Sequence, residues 1–135
     1  SILLGTDGPA SNNKLDLFET MKIGALLQKY KEGNPSVFGV KEVLSAITLN
    51  PAKIFLKANF GIRTGALADL ILIDLNKICF QPGHNFFADL VFSASGECVS
   101  DVIVDGKIIM RDRKIEGETE ILRQAKLRAK NLVTL

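Results

Sequence analysis

The sequence has few of the residues from which proteins build metal centres. It contains one histidine, two cysteines and no tryptophan in 135 residues. A hydrolytic metal site takes about three to four protein ligands, usually with imidazole among them. Neither an H-x-H nor an H-E-x-x-H spacing occurs. The residues of this chain therefore cannot complete such a site by themselves.

The two cysteines, Cys79 and Cys98, are isolated in the sequence and form no C-x-x-C pair. This spacing argues against a zinc ribbon or a thioredoxin-like redox motif. We expect two buried free thiols in a reducing cytoplasm, and a single disulfide between them is the open alternative.

Long apolar runs and a strong charge of either sign are also missing. No run approaches the roughly 20 residues of a membrane span. The formal net charge is +2, which is too close to neutral to indicate a nucleic-acid or membrane-surface binder. With 47% hydrophobic and 24% charged residues, the composition is that of a globular domain.

The most informative stretch lies at the start of the chain. The apolar run Ile2 to Leu4 ends in Gly-Thr-Asp-Gly and opens into a loop. This pattern predicts a buried strand that delivers the carboxylate of Asp7 at its C-terminal end, where α/β barrels and α/β sheets place their chemistry. An Asp-Gly pair is also typical of a plain turn. Because the chain begins inside this strand pattern, we expect further residues to precede it.

The remaining pattern alternates helices with short strands. Helices are predicted over residues 14–31, 39–49 and 50–56, with Asn13 and Asn50 as the caps of the first and third. A buried strand is expected over 70–73, followed by a hairpin over 102–110 that turns at Asp105-Gly106. Lys114-Ile115 should end the sheet, and residues 118–132 form a last helix. The single histidine, His84, is interpreted as the start of a helix or a structural hydrogen-bonding group.

Three motifs resemble one enzyme family. They are L-G-T-D-G-P-A-S-N-N at residues 4–13, T-x-N-x-A at 48–52, and G-I-x-x-G-x-x-A-D-L at 61–70, in which Ala66 and Leu67 replace the usual basic residues. Together they resemble the amidohydrolase superfamily, closest to the branch of 5'-methylthioadenosine/S-adenosylhomocysteine deaminases and chlorohydrolases.

The resemblance implies roles for the first motif. Asp7 would follow the eighth barrel strand, bind one divalent metal ion (zinc, or alternatively iron) and accept the proton of the attacking water. The implied reaction is hydrolytic deamination of an adenosine derivative to an inosine derivative and ammonia. The other metal ligands would lie outside this chain. For Asn12 and Asn13 we favour loop ordering and helix capping over substrate contact.

The resemblance also implies the architecture. The fold class is α/β, with residues 1–58 as the C-terminal end of the (β/α)8 barrel of a metal-dependent hydrolase. Residues 59–135 would be the C-terminal half of the flanking composite β-sandwich with a terminal helix. A barrel needs about 250 residues, so we expect a fragment that is inactive alone. Residues 1–13 should be disordered, rearranged or paired with another chain if this fragment is crystallised by itself.

The implied partners are a purine nucleoside substrate and the missing N-terminal part of the same protein. We expect no nucleic-acid or membrane partner, a cytoplasmic location and a homo-oligomeric state. Two alternatives stay open. One is a chlorohydrolase or guanine deaminase of the same superfamily, and the other is a non-catalytic β-rich packing domain.

Overall fold

The chain folds as a helical part followed by an antiparallel sheet and a terminal helix. The computed structural model describes residues 1–56 and 59–133. In chain order the elements are α1 (Leu17–Glu32), α2 (Val40–Ile47), α3 (Leu49–Pro51), a π-helical turn (Ala52–Leu56), β1 (Leu70–Ile73), a 3-10 turn (Ile78–Phe80), α4 (Phe86–Phe92), a 3-10 turn (Gly96–Cys98), β2 (Val99–Val104), β3 (Lys107–Arg111), β4 (Lys114–Ile115) and α5 (Glu118–Val133).

Helix α1 begins three residues later than the sequence pattern predicts. Its cap is Asp16, whose Oδ1 accepts hydrogen bonds from the backbone N–H groups of Phe18 and Glu19 at 2.9 and 3.4 Å. The prediction that Asn13 caps this helix is therefore wrong. The second carboxylate oxygen of Asp16 accepts a bond from the Gly96 N–H at 3.0 Å, so a distant segment fixes the cap position. At the other end Gly33 stops the helix in a left-handed conformation, with φ at 59°.

Helix α2 ends at Thr48, and the chain continues at once into α3. Both the N–H and the hydroxyl of Thr48 donate to the Leu44 carbonyl, at 3.1 and 2.6 Å. The helical turn therefore restarts at Leu49, and Asn50 lies inside α3 rather than at its cap. The prediction that Asn50 caps the third helix is wrong, and its side chain is available for another partner.

The four strands form one antiparallel sheet in the order β1-β2-β3-β4. The predicted hairpin is confirmed, because β2 and β3 join through Asp105 and Gly106 with φ angles of 49° and 73°. Two positive φ values identify the type I′ turn that an Asp-Gly pair favours. The Asp69 carboxylate accepts the Asp105 N–H at 2.7 Å and ties this turn to the segment before β1.

Strand β1 is correctly located but is not buried. Ile71 and Leu72 remain 51% and 48% exposed, so the prediction of a buried strand is wrong for the described residues. A continuous apolar run requires cover on both faces of its sheet. The described part of this chain leaves β1 incompletely covered.

One hydrophobic core joins the helices to the sheet. Helices α1, α2 and α4 meet the 3-10 turns and the start of β2, and the buried residues are Phe18, Met21, Ala25, Val43, Phe80, Leu90, Val91, Cys98 and Val99. The core thus draws residues from both sides of the predicted domain boundary. The predicted boundary follows residue 58. Residues 57 and 58 lie outside the described part of the chain, so the division into two domains stays a prediction.

Helix α5 is exposed at all of its described side chains except Gln124, which is half-buried. Its leucines Leu122 and Leu132 are 52% and 75% exposed. Its first turn is held by Glu120, which accepts two hydrogen bonds from Arg123 at 2.7 and 2.8 Å. This bidentate contact lowers the pKa of the Glu120 carboxyl. Across residues 1–56 and 59–133, no helix is both long enough and apolar enough to cross a membrane.

The double role of Asp16 gives a prediction about stability. Asp16→Ala removes the cap of α1 and also leaves the Gly96 N–H without its acceptor. We expect urea denaturation to show a loss of about 1–3 kcal/mol in the free energy of unfolding. Asp16→Asn retains one carbonyl oxygen for the cap and should lose about half as much. An alanine variant as stable as the asparagine variant would show that the cap contributes little.

Candidate active site

Asp7 lies on an exposed loop at the end of an extended segment. Its φ of 61° is in the left-handed region, which Asp tolerates better than most residues. One carboxylate oxygen, Oδ1, accepts the Gly8 N–H at 2.7 Å. Within the described residues the Asp7 carboxylate forms no ion pair. Asp7 is thus an exposed carboxylate whose second oxygen, Oδ2, has no hydrogen-bond partner within the described residues.

The segment that carries Asp7 is held by the helical part of the chain. The Asn50 amide donates to the Ile2 carbonyl at 2.8 Å, across 48 positions in the sequence. The Leu4 N–H donates to the Ala46 carbonyl at 3.1 Å. Leu4 also lies against α1 at Gly24, where an added Cβ would come within 3.3 Å of both Leu4 methyl groups. Asn50 and Gly24 thus support the site from two helices, and sequence reasoning did not identify either role.

The predicted buried strand over residues 2–4 is absent from the described structure. Ile2 and Leu3 are 57% and 40% exposed, and the segment has no regular secondary structure and no strand partner among the described residues. A strand is defined by hydrogen bonds to a neighbouring strand. The described residues provide only helical contacts to this segment, which explains the difference.

Asn12 orders the loop after Asp7. Its amide donates to the Thr6 carbonyl at 2.9 Å, and its side-chain oxygen accepts the Lys14 N–H at 3.2 Å. The backbone N–H groups of Ser11 and Asn12 both donate to the Gly8 carbonyl, at 3.0 and 2.9 Å. These contacts close a compact loop around Asp7 and give Asn12 the loop-ordering role that we favoured.

His84 does not join the Asp7 loop in any contact of the described structure. It is exposed and lies two residues before the start of α4. The cap of α4 is Asn85, whose side-chain oxygen accepts the Ala88 N–H at 3.1 Å. The helix-start role predicted for His84 therefore belongs to Asn85, an asparagine three residues ahead of the bonded amide, which is a recognisable capping pattern.

The described residues do not assemble a metal centre. In residues 1–56 and 59–133, no three His, Cys, Asp or Glu side chains are grouped so that they could hold an ion. Asp7 offers one oxygen ligand, whereas a hydrolytic metal needs about three or more from the protein. The donor set of this chain alone does not fit a metal, and Asp7 can at most be one member of a larger set.

An exposed carboxylate after an extended apolar segment, ahead of a helix, is typical of an α/β enzyme site. Residues 1–109 match the model of the amidohydrolase family, and the chain belongs to that family. The mixed helix and strand class predicted from the sequence is thereby confirmed.

Similar proteins cover almost the whole chain. It is 45% identical over 132 residues to 5-methylthioadenosine/S-adenosylhomocysteine deaminase 1 of Archaeoglobus fulgidus, a match to 96% of this chain and 31% of that protein. It is 44% identical to the 5'-deoxyadenosine deaminase of Methanoregula boonei, over 98% of this chain and 30% of that protein. The chain thus spans about a third of the length of these relatives.

Solved structures show the same fold. An adenosine deaminase from Xanthomonas campestris with bound zinc superposes with a TM-score of 0.90 at 29% identity, over 97% of this chain and 31% of that one. Atrazine chlorohydrolase from Arthrobacter aurescens gives a TM-score of 0.69 at 21% identity, over 81% of this chain and 25% of that one, and shows the fold alone.

The loop contacts of Asn12 give a prediction about local order. Asn12→Ala removes two side-chain bonds and should speed amide hydrogen exchange at Lys14 and its neighbours in the loop by roughly tenfold. Asn12→Asp retains the acceptor for the Lys14 N–H but cannot donate to Thr6, so we expect an intermediate rate. Unchanged exchange in the alanine variant would show that the backbone bonds to Gly8 order the loop by themselves.

Proposed function

We propose that this chain forms the C-terminal part of a metal-dependent amidohydrolase that removes ammonia from adenosine derivatives. The observation that carries the proposal is the match, across nearly the whole chain at 44–45% identity, to proteins named as deaminases of 5'-methylthioadenosine, S-adenosylhomocysteine and 5'-deoxyadenosine. The substrate class is accordingly a purine nucleoside whose ribose carries a modified 5' position, and the products are the inosine derivative and ammonia.

Asp7 is the residue of this chain that we assign to the chemistry. Its negative charge has no cationic partner among the described residues, and Gly8 engages only Oδ1. A carboxylate that is held by its neighbours, with one oxygen free, is suited to bind a cation without reorganisation. The remaining ligands come from residues outside this chain, because its described part supplies no cluster.

The proposed metal is a divalent ion, and zinc is favoured because the similar adenosine deaminase contains it. Iron is the alternative. When bound, such an ion supplies an acidified water as the nucleophile. In the complete site the Asp7 carboxylate would help to hold the ion, and it would also accept a proton from the attacking water and pass it towards the leaving amine, which is general acid–base work suited to a carboxylate in hydrogen-bonding reach.

The surface of the helical part supports the view that more protein covers it. Helix α1 buries one face in the core, while the opposite side carries large apolar residues that are about half or more exposed, namely Ile23, Leu26, Leu27 and Tyr30. Contiguous exposed apolar surface of this kind marks an interface. We propose that the barrel part, residues 1–58, and the β-sandwich part, residues 59–135, are both completed by preceding chain. The cytoplasmic location and homo-oligomeric state stay predictions.

The central prediction concerns Asp7 in the complete enzyme. Asp7→Asn retains side-chain size, tolerance of the left-handed conformation and an acceptor for the Gly8 N–H, but removes the charge and the proton acceptor. We expect ammonia release from 5'-methylthioadenosine to fall by about 10²–10⁴ or more, with less bound metal by elemental analysis.

A matched control for Asp7 exists within the chain. Asp105 is also an Asp before a glycine with a positive φ, 49°, but it lies in the β2–β3 turn. Asp105→Asn should leave both activity and metal content unchanged. If Asp7→Asn kept full activity and full metal content, the assignment of Asp7 would be wrong. Turnover of guanine in place of adenine nucleosides would instead redirect the substrate assignment.

The 135-residue chain by itself should show no turnover. It contributes one metal ligand to a site that needs several, so it cannot hold the metal ion that would activate the attacking water. The check is an ammonia-release assay with added zinc and 5'-methylthioadenosine, with the complete enzyme as the positive control. Zinc-dependent ammonia release from this chain alone would contradict the division of the site.

A further inference from the structure

Cys79 and Cys98 meet in the fold although they are 19 positions apart in the sequence. Their Sγ atoms are 3.1 Å apart, and both thiols are free. Cys98 is buried in the hydrophobic core, whereas Cys79 is half-buried on the 3-10 turn before α4. A disulfide has an S–S bond of about 2.05 Å, so closure requires the two sulfurs to approach by about 1 Å. Side-chain rotation can supply a movement of that size.

The backbone around Cys98 is held in place by hydrogen bonds to three consecutive carbonyl groups. The Cys98 carbonyl accepts the Asp74 N–H at 2.8 Å. The guanidinium Nη1 of Arg113 lies 2.8 Å from the Glu97 carbonyl and 3.0 Å from the Val99 carbonyl, and donates to both. The Cys98 side of the pair is therefore fixed by the fold and does not lie on a freely moving loop.

The reduced pair is compatible with this close contact because Cys79 carries no charge at neutral pH. Burial raises the pKa of the Cys79 thiol to about 11, and the hydrogen bond and charge interaction with Cys98, together with the nearby Asp89 carboxylate on α4, act in the same direction. A neutral thiol beside another sulfur avoids like-charge repulsion. Within the described residues no third ligand is grouped with the two cysteines, so a metal thiolate site is not indicated.

We propose that Cys79 and Cys98 are a disulfide-forming pair, which a small-molecule disulfide such as glutathione disulfide converts to an intramolecular cross-link. Cys79 first loses its proton, and its thiolate attacks one sulfur of glutathione disulfide, which breaks that S–S bond and releases the first glutathione thiol; because the pKa of Cys79 is raised, the thiolate fraction is small and this step is slow. Cys98 then displaces the second. Two protein thiols are oxidised, one disulfide is reduced to two thiols, and the two protons pass to the glutathione products.

The cross-link closes a loop that contains helix α4. This loop includes Phe80, Leu90 and Val91, which lie in the core beside α1 and α2. A disulfide that closes this loop restricts the unfolded chain more than the folded one, so the oxidised protein gains stability. The proposal does not rest on the deaminase assignment, since it uses only the fold of this chain.

The test treats the purified complete protein with glutathione disulfide and maps its peptides without reduction. Trypsin leaves both cysteines on one peptide, residues 78–107, because this stretch contains no internal Lys or Arg. A second protease that cleaves before Asp89 places the two cysteines on separate pieces. We expect the two pieces to stay joined as one species that is lighter by two hydrogens, with both cysteines resistant to alkylation.

The controls distinguish a built pair from general thiol oxidation. Cys79→Ser should abolish the linked species, and Cys98→Ala should do the same without placing a hydroxyl in the core. In the native protein the linked form should exceed glutathione adducts at these cysteines by about tenfold, and unfolding in urea before oxidation should remove this preference.

The oxidised wild type should also melt several degrees higher than the reduced protein, a shift that Cys79→Ser should lack. Separate glutathione adducts, or two cysteines that stay alkylatable, would overturn the proposal whatever the deaminase assays show.

Discussion

The apolar contact among α1, α2 and α4 is the interaction on which the rest of this structure depends. Met21, Val43 and Val91, one from each helix, are at most 1% exposed. Close packing of this kind makes their relative positions stiff, because small displacements lose many contacts at once. Asp16 extends the contact to the 3-10 turn before β2 through Gly96, and Leu4 extends it to the start of the chain. The position of the Asp7 carboxylate is therefore set by a core that contains no catalytic group.

The features that sequence predicted well are those that local chemistry decides. The Asp105-Gly106 hairpin followed from the preference of these two residues for positive φ, and no distant contact was needed to define it. The positions of α1, α2 and α5 followed from apolar periodicity and from breakers such as Gly33. These expectations required only the properties of residues within about one helix or one turn of each other.

The features that sequence missed are decided at long range. Asn13 and Asp16 are both capable caps, and the choice between them depends on Gly96, 80 positions away. The role of Asn50 depends on a carbonyl 48 positions earlier. The burial expected for β1 and for residues 2–4 depends on surfaces that the described chain does not provide. At the site, a motif identified Asp7, but the contacts that hold it could be found only from coordinates.

The attachment of residues 2–4 to the bend between α2 and α3 links the position of Asp7 to the geometry of that bend. Ala46 and Asn50 flank that bend, and both bind the segment that leads to Asp7. A substitution that changes the bend would move the Asp7 carboxylate, although Asp7 itself is not substituted. Displacements of about 1 Å are enough to change rates strongly. With the role proposed for Asp7, substitutions around Thr48 would alter the geometry of the reaction while Asp7 itself stays in place.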